Sequence, residues 1–216
     1  MKGFNRKESI KLAGIVRESI TDGPGICFTV FCQGCPHNCQ GCHNPVTWSF
    51  EEGGKYVDVN RILAEIDKNP ILQGVTFSGG EPLCQSKGFL SLAKGIKKRK
   101  LKINLFTGYT FEEIQELRKI DEDISQLLDL VDILIEGRFN IKEKNLSLKF
   151  RGSENQRIID MNKTREAGTL VLSFYSVPYL VTRSFGGRSR MYLDSLALQS
   201  VLYISSSAVQ IGRAHV

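Results

Sequence analysis

Cys35, Cys39 and Cys42 stand in the run CPHNCQGC with the spacing C-x3-C-x2-C, and Ser78-Gly79-Gly80-Glu81-Pro82 follows further along the chain. Thiolates ligate iron–sulfur clusters, and a cubane cluster holds four irons. Three cysteines therefore leave one iron without a protein ligand. An open coordination position marks a catalytic metal centre, since a structural one is closed. Cys32 adds a fourth cysteine, so the segment also reads C-x2-C-x3-C-x2-C and raises a structural zinc site as an alternative. Zinc ribbons usually separate their two ligand pairs by about a dozen residues or more, and a gap this short does not make two independent knuckles. A two-cluster ferredoxin needs C-x2-C-x2-C-x3-C-P and further cysteines. Only Cys27 and Cys84 remain for it. Six cysteines in 216 residues, with no secretory signal ahead of them, also argue against a disulfide framework.

The elements that must position these residues alternate between strand and helix. Ile10 to Val16 and Cys27 to Phe31 are apolar and β-branched enough for strands. Ile62, Leu63 and Ile66 form a helical stripe within Val59 to Ile66. Gly74 to Phe77 reads as a buried strand ending at Gly79-Gly80, Phe89 to Ile96 as a helix and Leu101 to Phe106 as a strand. Helices over Phe111 to Leu117 and Ile124 to Leu130 come next, then a strand over Asp132 to Ile135. A last helix over Asn155 to Glu166 leads into Thr169 to Leu172. This alternation predicts an α/β fold with a mainly parallel sheet and crossover helices. Ligands of such sheets bind beyond the carboxyl ends of the strands, where the cysteine loop and Gly79-Gly80 both fall. Without a Cβ, Gly79 and Gly80 allow backbone to approach a ligand closely. An ordinary strand-to-loop turn is the competing reading of the pair.

Bulk properties bound the function. The chain is long enough to bury a substantial single-domain core. No apolar run reaches the roughly 18 to 20 residues that cross a bilayer. Free cysteines in this number suit a reducing compartment, so a cytoplasmic location with no membrane association is expected. The net charge of +6 is unevenly spread, with +3 of it in Ser173 to Val216. No basic stripe interleaved with aromatics is present, so nucleic acid is not an expected partner. Lys97-Lys98-Arg99-Lys100 reads as the solvated end of a helix, where cations suit the macrodipole.

The stretch IKLAGIVRESITDGPGICFTVFCQGCPHNCQGCHNPVTW (Ile10 to Trp48), together with the GGEP run, resembles the radical S-adenosylmethionine activases that install a glycyl radical in a partner enzyme. Within that family it is most similar to the activating proteins of anaerobic ribonucleoside-triphosphate reductases. Gly41 before the last cysteine, FEEGG (Phe50 to Gly54) and RGSENQRIID (Arg151 to Asp160) favour this over the related pyruvate formate-lyase activases, which remain the alternative along with other small radical enzymes. The resemblance runs from about Glu8 to Leu172. It implies an incomplete (βα) barrel, an oxidoreductase activity, and two cofactors: a 4Fe–4S cluster on Cys35, Cys39 and Cys42, and S-adenosylmethionine on the open iron. An electron from the reduced cluster would cleave the sulfonium carbon–sulfur bond, and the 5′-deoxyadenosyl radical would take hydrogen from a glycine Cα of the reductase large subunit. Such cleavage needs the reducing end of cluster potentials, which span roughly −700 to +450 mV. A low-potential donor such as a flavodoxin or ferredoxin is the implied second partner.

The resemblance further places Gly79, Gly80 and Glu81 against the methionine moiety, and Gly41, Cys42 and His43 beside the cofactor. His43 is expected to pack by the adenosyl group. Pro36 and Asn38 are expected to shape the loop. Asp22 to Gly25 is a turn by its chemistry, which the resemblance puts near the cluster. Thr107-Gly108-Tyr109 reads either as a nucleoside contact or as a turn. Arg138 and Arg151 read either as partner contacts or as surface ion pairs. Cys27 and Cys32 depart from the family pattern, which more often has Arg at the first position and a non-cysteine at the second. Ser173 to Val216 does not fit the family pattern, and Gln210 to Val216 back-translates to a common sequencing-adapter sequence. That tail is expected to be an assembly artefact, or else an accessory segment over the open side of the sheet.

Overall fold

The computed structural model describes residues 9–176, together with the backbone of Arg183–Phe185 and Arg188–Arg190. Among the described residues one sheet contains β1 (Ser9–Ser19), β2 (Cys27–Cys32), β3 (Lys55–Asp58), β4 (Gly74–Gly79), β5 (Lys102–Thr107), β6 (Ile133–Glu136) and β7 (Arg157–Asp160). Their order is β3-β1-β2-β4-β5-β6-β7. The central strands β2, β4, β5 and β6 are mutually parallel, as the strand–helix alternation predicts. The flanks differ: β1 runs antiparallel to both β2 and β3, and β7 runs antiparallel to β6. The fold is therefore mixed α/β with a parallel centre. Two short strands, β8 (Arg183–Phe185) and β9 (Arg188–Arg190), form a separate antiparallel ladder.

Period-two alternation gives the sheet two chemically distinct faces. Phe28, Val30, Val75, Phe77, Ile103 and Leu105 point to one face and join the apolar core. Helices α1 (Val59–Ile66), α2 (Ser86–Lys98), α3 (Phe111–Ile120) and α4 (Glu122–Leu130) supply the rest of that core through residues such as Ile62, Phe89, Leu92, Ile114 and Leu127. The intervening residues Thr29, Thr76 and Asn104 are just as buried but polar. The two threonines are satisfied by the turn that precedes β2, and Asn104 by its neighbours Thr76 and Cys27. Asp22 accepts from Thr29 Oγ1 at 3.2 Å, its carbonyl accepts from Thr76 Oγ1 at 2.7 Å, and Asn104 Nδ2 donates to Thr76 Oγ1 at 3.1 Å. Buried polar groups of this kind need such partners. One face of the sheet is thus a packing surface, and the other carries polar groups and open space.

Helix ends follow local chemistry. Thr110 caps α3 in a capping box with Glu113, each side chain meeting the other's backbone N–H. Thr110→Ala is expected to lower stability by about 1 kcal/mol in urea unfolding, the usual loss for a missing cap. The basic run at the end of α2 is less solvated than the sequence reading had it. Lys97 pairs with Asp132 at 2.5 Å, and Arg99 with Asp67 at 2.5 Å.

Other expectations need correction. Lys55–Asp58 is a strand that the sequence reading did not include, held as an edge by pairing with β1. The expected helix over Asn155 to Glu166 is instead β7 followed by α5 (Met161–Ala167). Ile158 and Ile159 are β-branched and fully buried against β6, and Asp160 then caps the helix by accepting from Lys163 N. Thr169 to Leu172 follows α5, and Leu172 bridges to Ile159. The packed unit also continues past Leu172. Ser173 N donates to Ile158 O at 2.8 Å, and Ser176 Oγ meets both the N–H and the carbonyl of Ile158. Apart from the β8–β9 ladder, the rest of the 173–216 tail call lies outside the described residues. No helix among the described residues is long and apolar enough to cross a membrane.

Candidate active site

β2, β4 and β5 end side by side, with Cys32 in register with Gly79. The cysteine loop leaves β2 there and is pinned to the segment that follows it. Gly34 N donates to Thr47 O at 2.8 Å, Cys35 N to Trp48 O at 3.0 Å, and Gln33 Nε2 to the carbonyls of Val46 and Ser49. Within the loop, Cys42 N donates to Cys39 O at 3.0 Å, and Asn44 N reaches Cys42 Sγ at 3.4 Å. Gly41 takes a positive φ of 76°, and a Cβ there would meet Ile141 Cδ1 at 2.6 Å. The left-handed backbone, more than a contact with the end of a flexible side chain, gives a structural reason for a glycine before the last cysteine.

Cys35, Cys39 and Cys42 border one hollow of about 150 Å³ whose wall also includes Ser78, Gly79, Gly80 and Phe139. Cys39 and Cys42 further border an adjoining hollow of about 350 Å³ with Asp22, His43, Phe106 and Arg151. A larger hollow of about 560 Å³ lies between β1, β3 and α1, but its lining mixes aliphatic residues with Arg17, Lys55, Arg61 and Glu65 and carries no cysteine. Cys32, the fourth ligand that a zinc reading requires, is fully buried in the apolar core. Among the described residues no three His, Cys, Asp or Glu side chains converge on one point as ligands of a single ion do. A cubane spreads its protein thiolates over separate irons. Three thiols bordering one hollow match, in type and number, the donors of a cluster with one open iron. Burial, aided by the Glu81 carboxylate, pushes the Cys35 thiol up to about 11, so cluster binding must release its proton.

Gly79 and Gly80 are required by the protein itself. Gly79 has φ 97°, and a Cβ on it would lie 2.5 Å from Cys32 N. A Cβ on Gly80 would lie 2.3 Å from Gly34 O. The strand end packs directly on the backbone of the cysteine loop, with Gly80 N donating to Cys32 O and Glu81 N to Gly34 O, both at 2.8 Å. Glu81 is fully buried. Its Oε1 accepts from Leu83 N, and its Oε2 from Thr107 Oγ1, Gly108 N and His37 Nε2. Thr107 and Gly108 therefore meet a carboxylate and also border the smaller hollow. His43 packs against Phe139 with ring centroids 5.4 Å apart.

The two arginines separate. Arg138 is ion-paired to Glu113 at 3.0 Å, which is the surface reading. Arg151 borders the adjoining hollow of about 350 Å³, donates to the carbonyls of Gln156 and Ser176, and has a buried Nε without a partner among the described residues. Burial holds its guanidinium below the usual arginine range. Cys27 is buried under the Asp22–Gly25 turn, its Sγ 3.4 Å from Pro24 O, and burial raises its thiol. Cys84 is exposed. The residue that sequence reasoning passed over is His37. Its position midway between Cys35 and Cys39 was the available signal.

Comparison with known proteins bears on the family. Residues 21–159 match the family described as a 4Fe-4S single cluster domain. Anaerobic ribonucleoside-triphosphate reductase-activating proteins are similar over most of their own length. That of Vibrio cholerae is 34% identical over 146 residues, covering 64% of this chain and 90% of the relative. That of Enterobacteria phage T4 is 37% identical over 145 residues, covering 63% and 85%. That of Haemophilus influenzae is 34% identical, covering 64% and 90%. QueE from Escherichia coli is a remote structural likeness at TM-score 0.38 and 20% identity, covering 47% of this chain and 53% of that one, and no argument rests on it. The match and the three-cysteine site define a radical S-adenosylmethionine enzyme with a single 4Fe–4S cluster. The chain belongs to the anaerobic ribonucleoside-triphosphate reductase-activating protein family.

Proposed function

We propose that this chain holds its cluster on Cys35, Cys39 and Cys42, binds S-adenosylmethionine beside Gly41–His43 and the end of β4, and installs a glycyl radical on the large subunit of an anaerobic ribonucleoside-triphosphate reductase. The observation that carries the reading is the shared hollow, bordered by all three thiols and by Ser78, Gly79 and Gly80. When bound, the cluster and S-adenosylmethionine supply the chemistry, a one-electron cleavage whose 5′-deoxyadenosyl radical removes hydrogen from a glycine of the partner. A flavodoxin or ferredoxin is the proposed source of the electron.

The chain's own residues bind, orient and shield. Three thiolates leave one coordination position for the cofactor. Backbone at Ser78 to Gly80 offers polar groups to the methionine end without side-chain bulk. Glu81 supports that segment from beneath, since both of its carboxylate oxygens are already engaged. Phe106 and Phe139 give the hollow apolar walls that limit water. Arg151 brings a positive charge to the adjoining hollow, which suits a carboxylate. The polar face of an open sheet is the inner face of an incomplete (βα) barrel in this reading. His43 and Phe139 form the wall proposed for the adenosyl group.

Anaerobic reconstitution with the reductase large subunit, a reductant and S-adenosylmethionine is expected to yield a glycyl radical in electron paramagnetic resonance. Cofactor cleavage without a partner radical would refute the partner and leave the cluster intact. The domain boundary is tested by truncation. A chain ending at Ser176 is expected to keep the cluster, cofactor binding and partner activation, whereas one ending at Leu172 loses the Ser173 and Ser176 bonds to β7 and unfolds at lower urea. Loss of radical transfer from a folded chain ending at Ser176 would make the remaining tail a functional element.

A further inference from the structure

His37 Nε2 lies 2.8 Å from Glu81 Oε2, with the two side chains 5% and 0% exposed. The imidazole is enclosed by the Tyr109 ring, whose centroid is 4.6 Å away in an edge-on arrangement. Gly108 passes so close that a Cβ there would lie 2.3 Å from His37 Cδ2. The same Glu81 oxygen accepts from Thr107 Oγ1 and Gly108 N at the end of β5, and Glu81 itself follows Gly79-Gly80 at the end of β4. One buried carboxylate therefore joins the middle of the cysteine loop to two strand ends. We propose that His37 is a positioning residue, latching the loop through Glu81 so that the cluster is held in place relative to the S-adenosylmethionine segment Ser78–Gly80. The proposal rests on the cluster and cofactor sites assigned above.

Energetics separates this role from plain stability. Without His37, Glu81 keeps Leu83 N, Thr107 Oγ1 and Gly108 N as donors, so its carboxylate is not orphaned and the strand ends stay tied. The residues from Pro36 to Gly41 have few backbone bonds of their own to the sheet, and the imidazole contact holds their middle. A buried hydrogen bond to a carboxylate is strong and directional, so it fixes the loop's position as well as its attachment. Tyr109 and Gly108 shape the space around the ring, which restricts the imidazole to one orientation.

The test uses the full chain, reconstituted anaerobically, as wild type, His37→Leu and His37→Gln. Leu keeps the bulk beneath Tyr109 without a donor, and Gln keeps a donor. Circular dichroism melting, iron per chain, and titration of the reduced cluster's electron paramagnetic resonance spectrum with S-adenosylmethionine are read. His37→Leu is expected to fold and load iron like wild type but to need about tenfold more S-adenosylmethionine for the same spectral change, the scale on which small misplacements act. His37→Gln is expected to recover most of that loss. An unchanged titration for His37→Leu would overturn the latch, and so would a Gln variant as impaired as the Leu variant. A His37→Leu chain that does not fold while the Gln variant does would make the His37–Glu81 hydrogen bond a folding contact. A folded His37→Leu chain without iron would make His37 part of cluster retention. Both outcomes overturn the proposal. Wild type that binds no iron–sulfur cluster, by contrast, would overturn the underlying site assignment.

Discussion

Cys39→Ala is expected to fold but to hold no stable 4Fe–4S cluster and to cleave no S-adenosylmethionine, and Cys35→Ala and Cys42→Ala are expected to behave alike. Each thiol borders the same hollow, and a cubane already short of one protein ligand does not keep its place on two. None of the three belongs to the apolar core, so the sheet and its helices do not depend on them. Two controls sharpen the result. Cys84→Ala removes an exposed thiol and should change neither iron content nor cleavage. Cys32→Ala truncates a fully buried side chain in β2, so it should cost about 1 kcal/mol of stability, the scale of one buried methylene-sized group. Its cluster should remain, whereas a four-cysteine zinc site would be lost. Iron and sulfide analysis and chromatographic detection of 5′-deoxyadenosine read these outcomes. Full cleavage by the Cys39 variant would sink the ligand assignment.

Gly80→Val is the second large effect, and here the structure changes the expectation. Close approach of backbone to a ligand, the sequence argument for Gly79-Gly80, predicts weakened cofactor binding with the cluster spared. The first atom of any side chain on Gly80 would instead meet Gly34 O at 2.3 Å, and Gly34 immediately precedes Cys35. A carbonyl held by its own hydrogen bond cannot yield as a flexible side chain would. Glu81 N donates to that oxygen, so the displacement also breaks the contact between strand end and loop. The variant should therefore lose S-adenosylmethionine binding and also load less iron, with about 1 to 3 kcal/mol of overpacking strain in urea unfolding. Isothermal titration together with iron analysis on the same preparation checks both parts. Normal cluster absorbance with weakened cofactor binding would restore the ligand-approach explanation, and unchanged affinity would move the pocket elsewhere.

Much of the fold was legible because its signals are local. The α1 stripe of Ile62, Leu63 and Ile66 and the buried run of β4 are patterns of neighbouring residues, and both elements form where those patterns lie. The helix expected over Asn155 to Glu166 fails for the opposite reason. Ile158 and Ile159 carry no decisive local period, and pairing with β6 decides that they extend. Lys55–Asp58 is likewise a strand only because β1 offers an edge to it.

By itself the sequence determined the chemistry available to this protein: three thiols with an iron–sulfur spacing, a glycine pair after a buried strand, and an alternation that puts both at strand ends. Those properties depend on residue type and short spacing, which the chain carries without folding. Only the tertiary structure decided how these pieces are held. It sends Cys32 into the core and leaves Cys35, Cys39 and Cys42 at the hollow. It sets Gly80 against Gly34, and it turns Glu81 to receive His37, Thr107 and Gly108. These contacts join residues up to about 46 positions apart, and no local pattern records which partner a buried carboxylate or a missing Cβ will meet, because that depends on the register of β2, β4 and β5 in the folded sheet.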